Sequence, residues 1–96
     1  MKKIALLYNL NRNQFEYETE FDSELTIDSI CKTLSKEYEI KRIEADKNFK
    51  WINLLLEYSP DLVFNICEGY YGPARESVYA AILEQFQIKQ MIKILD

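Results

Sequence analysis

Three apolar runs recur along the chain at intervals too long for hairpins and long enough for helices, and that spacing constrains the fold more than any other feature. Lys3–Tyr8 (KIALLY) is continuously apolar after its first residue, as a strand buried on both faces is. Tyr38–Glu44 (YEIKRIE) alternates as a second strand does, and Asp61–Ile66 (DLVFNI) reads as a third. Between the first two, Ile27, Ile30, Cys31, Leu34 and Tyr38 fall on one face of a helix that Ser23 can cap. Lys47–Tyr58 reads as a second helix, stopped at Ser59-Pro60 because the residue before proline avoids the α region. A third helix is expected over Ala74–Phe86, and Ile88–Asp96 closes the chain as a fourth strand or as an irregular or helical tail.

Helices placed between strands serve as crossovers, so the expected fold is α/β: an open, mainly parallel, four-stranded Rossmann-like sheet of order β-α-β-α-β-α-β. Ile4, Leu6, Ile27, Ile30, Leu34, Val63, Ile66, Val78 and Ile82 are expected to face inward. Ninety-six residues suit one domain, 1–96, with a single core.

Composition removes several classes of function. The net charge is −4 and lysines interleave with glutamates, which argues against nucleic acid as a partner. No apolar run approaches the ~20 residues that span a membrane, and Met1–Lys3 opens no signal peptide; the expectation is no membrane partner and a cytoplasmic chain. Cys31 and Cys67 form no CxxC and are expected as two reduced, buried thiols. Histidine is absent, which removes Ser-His-Asp and Cys-His nucleophiles and most transition-metal sites. No metal site is expected.

Ligands of open α/β sheets bind beyond the carboxyl ends of the strands. Three connections lie at that edge: Asn9–Asp22, a polar and exposed loop by composition; Ala45–Asp46; and the segment that follows the third strand. That segment, FNICEGYYGPARES (64–77), holds both glycines of the chain, Gly69 and Gly72. Gly69 permits a strand-to-loop turn, while Gly72 and Pro73 suit a helix start, with the amides of Ala74 and Arg75 as a modest anion site. No GxGxxG or GxxxxGK[ST] is present, so neither a dinucleotide nor a P-loop reading has support. Glu68, one residue past a buried strand, is the strongest chemical candidate. As a mere β–α turn the segment would leave Glu68 in bulk solvent; as a site it would place Glu68 in the crevice.

DLVFNICEGYYGPARESVYAAILEQFQI (61–88) resembles the third-strand segment of the D-alanine–D-alanine ligase-like branch of the ATP-grasp superfamily, where Phe-Asn, a Glu-Gly or His-Gly pair, a further glycine and a helix follow one another. KKIALLY (2–8) and EFDSELTIDSI (20–30) are similar to that family's first strand and loop-to-helix segment. The resemblance implies the N-terminal, pre-ATP-grasp domain, which walls an amino-acid or peptide site. It implies that Glu24 contacts an ammonium group, that Glu68 takes the place of the histidine in the His-Gly motif, and that Gly69 and Gly72 supply the loop backbone. Asn9-Leu10 stand where the ligases carry Gly-Gly, and Pro73-Ala74 replace an acidic pair, which implies an amino-acid-like or peptide substrate other than D-alanine.

The resemblance also implies that ATP and magnesium are held by further domains, since no phosphate-binding lysine pair, flap or magnesium carboxylates are found here. The chain is therefore expected to hold no cofactor, to carry no catalytic residue and to be inactive alone, neither binding nor hydrolysing ATP. Its family's N-terminal domains take part in dimer contacts, which implies a homodimer. A second function class is a stand-alone module binding a protein or a small ligand, for which Trp51, the Tyr70-Tyr71 pair and the altered C-terminus are the candidate features.

Overall fold

A computed structural model describes residues 1–10, 22–46, 48–69 and 75–92, with the side chains of Arg75, Glu76 and Ile92 left aside. The elements alternate as the apolar runs require: β1 (Lys3–Tyr8), α1 (Glu24–Leu34), β2 (Glu39–Glu44), α2 (Trp51–Tyr58), β3 (Leu62–Asn65), α3 (Arg75–Gln85) and β4 (Gln90–Ile92). All three strand pairings are parallel, in the order β2-β1-β3-β4. The segment after Ile88 thus contains a fourth strand. Residues 93–96 lie outside the described residues.

β1 is the centre. Lys3 to Tyr8 pair with Glu39 to Glu44 on one side, and Ile4 to Leu7 pair with Leu62 to Asn65 on the other. Its side chains therefore alternate between two cores. Ala5 and Leu7 join Ile43, Val63, Trp51, Leu55, Tyr79 and Leu83 beneath α2 and α3. Leu6 and Tyr8 join Ile27 and Ile66 beneath α1. Two helices cover one face and one covers the other, where Phe64 is only partly buried and its neighbour Met91 is 54% exposed.

Local chemistry sets the helix ends. Ser23 caps α1 by accepting the Thr26 amide at 3.2 Å. α2 stops at Ser59, which turns left-handed before Pro60. The helix expected from Lys47 starts only at Trp51: Asp46 Oδ1 accepts the Asn48 amide, and Phe49 takes φ 61, which no helix tolerates. Three other expectations are corrected. Val78 is 37% exposed, because α3 turns Tyr79 and Leu83 inward instead. Cys31 is only partly buried, since it lies at the margin of the α1 face. Trp51 is 1% exposed and packs into the core rather than standing on the surface.

The two edges of the sheet differ. β2 carries Glu39, Lys41, Arg42 and Glu44, and Arg42 pairs with Asp28 of α1; charge of this kind discourages edge-to-edge association. β4 reads Gln-Met-Ile and carries no charge. Among the described residues no helix is long and apolar enough to cross a membrane.

The two faces of α3 give a direct check. Leu83→Ala is expected to cost about 3 kcal/mol, as a fully buried leucine does, whereas Val78→Ala is expected to cost less than about 1 kcal/mol. Urea denaturation of both variants measures the difference.

Candidate functional site

In the strand order β2-β1-β3-β4 the chain leaves β1 toward α1 on one face and leaves β3 toward α3 on the other. The gap between the carboxyl ends of β1 and β3 is thus the topological switch point, where a crevice opens. Asn9 fills it. The residue is 1% exposed and its side chain bonds three backbone groups. Nδ2 donates to the Ala45 carbonyl at 2.9 Å, and Oδ1 accepts the amides of Glu68 at 2.6 Å and Gly69 at 2.9 Å. One amide group therefore ties the end of β1 to the turns that follow β2 and β3.

The expectation that Asn9 opens an exposed polar loop is corrected on this point. Composition assigns an asparagine to solvent, but its two buried amide partners and one buried carbonyl need a group that both donates and accepts. Residues 11–21 of that loop lie outside the described residues; its ends meet, with Leu10 bridged in parallel to Asp22.

The β3 turn is held from both sides. Asn65 Oδ1 accepts the Cys67 amide at 3.0 Å, and its Nδ2 donates to Gln90 Oε1 at 3.2 Å. Gly69 then takes φ 82, the left-handed region in which a side chain is costly. Glu68, between these anchors, is 4% exposed. It does not lie in bulk solvent, as a simple turn would leave it. Glu24, the first residue of α1, reaches the same edge of the sheet but is exposed on the outside of its helix. Gly72, Pro73 and Ala74, and the Tyr70-Tyr71 pair, lie outside the described residues. The structure thus brings Glu68 and Gly69 together at the Asn9 clamp and leaves Glu24 outside it.

Two residues that sequence reasoning does not single out complete the site. Tyr79, in the second turn of α3, donates its hydroxyl to the same Ala45 carbonyl at 3.4 Å. Phe49, in the β2–α2 turn, holds its left-handed backbone at a cost of about 1 kcal/mol while 48% exposed. Its ring lies 6.5 Å from that of Trp51, which lies 5.5 Å from that of Tyr79. Only the polar spacing Asp46-x-Asn48 hints at this turn in the sequence.

The edge is acidic. Asp22, Glu24, Glu44, Asp46 and Glu68 all stand at the carboxyl ends of the strands or the start of α1, against Lys50 among the described side chains there. Buried groups register this. Burial pushes the Cys67 thiol well above its ordinary value, and the charges of Glu68 and Asp22 push it further. The Tyr79 hydroxyl is pushed up to about 12, first by burial, against the lowering effect of its hydrogen bond to Asn9, with Cys67 and Asp46 adding to the rise. Tyr8 is raised chiefly by burial, and Glu44 contributes in the same direction. Among the described residues no group of three metal-ligating side chains comes together.

No family model, no curated protein and no solved structure matches the chain.

The clamp gives one prediction and the buried acids another. Asn9→Ala leaves two buried amides without their acceptor and the Ala45 carbonyl with only the longer Tyr79 bond, and is expected to cost about 3 kcal/mol, with faster hydrogen exchange at Glu68 and Gly69. Cys67 and Tyr79 are neutral in the fold and ionise more readily once unfolded. Their stabilising contribution is therefore whole below the ordinary thiol value of 9.0 and is lost as the pH rises through it toward the raised folded values. Urea midpoints measured from neutrality upward are expected to fall above about pH 9, and Tyr79→Phe to flatten the part of the decline above about pH 10.

Proposed function

We propose that the chain is the substrate-side domain of an ATP-dependent carboxylate–amine ligase of the D-alanine–D-alanine ligase-like kind, inactive alone, and that its switch-point crevice binds the ammonium group of an amino-acid or peptide-like substrate. One observation carries this reading: Glu68, at the carboxyl end of β3, is held at 4% exposure on a turn whose backbone is fixed by Asn9. A carboxylate removed from water and fixed in place binds a cation far better than a mobile surface carboxylate does. The acidic surroundings favour an ammonium and disfavour a phosphate or a free carboxylate. The Glu68 and Gly69 amides are taken by Asn9 Oδ1 and so offer no cradle to an anion. The resemblance of residues 61–88 supports the assignment of the substrate class, with Gly69 and Gly72 as the loop backbone and Glu24 as a further contact. ATP and magnesium enter only with further domains, and cytoplasmic location follows from the same reading.

A second reading, a module for protein contact, is favoured by the sheet face left beside α1. There Phe64 and Met91 form an apolar strip next to Ser29, Ile30, Thr33 and Leu34, flanked by the uncharged β4 edge. Such a face suits a homodimer. The two readings are compatible, because the crevice lies beyond the end of β3 and the strip lies on the face of the sheet beside α1.

Titration with alanine amide, followed by NMR, tests the first reading. The Glu68 and Gly69 amides are expected to shift, and Glu68→Gln is expected to weaken binding roughly tenfold. Amides of residues 68 and 69 that stay in place at saturating ligand would rule the reading out. Sedimentation equilibrium of the wild type and of Met91→Lys tests the dimer, which the added charge is expected to dissociate.

A further inference from the structure

The β2–α2 turn carries two costs side by side that the fold itself does not require. The Trp51 indole N–H is buried and, among the described residues, is the side-chain donor left without an acceptor. Two residues earlier, Phe49 sits in a left-handed backbone without being glycine or asparagine, and leaves about half of its ring in water. Strain and unmet buried donors concentrate where a ligand completes the structure. Both residues stand at the edge that holds the crevice, and a continuous set of contacts joins them to it. Trp51 packs on Tyr79, the Tyr79 hydroxyl shares the Ala45 carbonyl with Asn9, and Asn9 holds the Glu68 and Gly69 amides.

We infer that this turn is a second subsite, adjoining the crevice, for the neutral carbonyl and the apolar side chain of a peptide-like ligand. Trp51 Nε1 donates to the carbonyl oxygen. The Phe49 ring leaves the indole as its backbone relaxes from the left-handed region, and then lies against the apolar group. The charges decide the ligand class. The indole N–H calls for an acceptor, but Glu44 and Asp46, at the end of β2 and the start of the turn, outweigh Lys50 beside Trp51 and oppose a carboxylate or phosphate oxygen. A peptide or amide carbonyl accepts without bringing charge. The inference rests on the ammonium-binding crevice and narrows it, from amino acids in general to peptides and amino-acid amides.

The chain has a single tryptophan, so its indole N–H gives one resolved NMR resonance. Three probes separate the claims: ethylammonium, alanyl-phenylalanine amide in both enantiomeric forms, and its N-acetylated counterpart. Ethylammonium is expected to shift the Glu68 and Gly69 amides alone. The free dipeptide amide is expected to shift these and move the indole resonance downfield, and Trp51→Phe, which keeps the ring and removes the donor, to weaken its binding roughly tenfold while leaving ethylammonium unchanged. A dipeptide amide that shifts Glu68 and Gly69 but leaves the indole in place, or that binds Trp51→Phe as tightly, overturns the subsite and spares the crevice. An acetylated probe that moves the indole, while ethylammonium leaves Glu68 and Gly69 still, supports the subsite and overturns the crevice. Silence with every probe overturns both. Phe49→Gly, which suits the left-handed backbone, gives an independent variant: it is expected to bind the dipeptide amide several-fold more weakly and ethylammonium equally well, and equal binding of both overturns the role of the ring.

Discussion

The carboxyl ends of this sheet are held by one side-chain amide. A parallel strand pair is secured along its length by backbone bonds, but at a switch point the chains diverge toward opposite faces and the ladder ends. Beyond that point the Glu68 and Gly69 amides have no strand to pair with, nor has the Ala45 carbonyl. Asn9 meets all three with a short neutral side chain whose separate carbonyl and amino groups accept on one side and donate on the other. Aspartate would offer no donor to Ala45, and leucine neither donor nor acceptor. The position of Glu68, the turn at Gly69 and the anchoring of Tyr79 all follow from that group.

The clamp also divides the edge into a rigid and a strained part. Just past β3 every backbone amide from Ile66 to Gly69 has a partner: Asn65 takes Cys67, Asn9 takes Glu68 and Gly69, and the Ile66 amide reaches the Leu7 carbonyl at 2.9 Å. Across the crevice, the β2–α2 turn keeps a left-handed phenylalanine over an unsatisfied indole. A rigid wall facing a strained one suits a site that fixes the charged end of a ligand and adjusts around the rest of it.

Much of the fold was legible in the sequence, because it rests on periodicity. The continuous run at Ile4–Tyr8, the face of α1 and the stop at Ser59-Pro60 are properties of neighbouring residues, and each stands where the pattern puts it. Glu68 and Gly69 were also legible, as the polar residue and the glycine just past a buried strand. Asn9 was not. Its partners are 36, 59 and 60 positions away, and no local pattern records a bond of that span. Val78 was misplaced for a related reason: it and Tyr79 are adjacent on a helix with apolar residues on several sides, and only the surface opposite decides which turns inward. Phe49 looked helical because its neighbours are, until the Asp46 side chain captured the Asn48 amide.

The placement of β1 has a consequence for the order of events in synthesis. Of the four strands, the one at the centre of the sheet leaves the ribosome first, yet part of its pairing comes much later: Lys3 meets Asp61 across 58 positions, and Asn9 meets Glu68 across 59. Until β3 has emerged, the most apolar strand has only one of its two neighbours and the clamp has only its Ala45 bond to make. Long loop closures of this kind delay folding and leave an unpaired apolar segment exposed in the meantime. The arrival of β3 therefore ends that exposure and completes the crevice in one step.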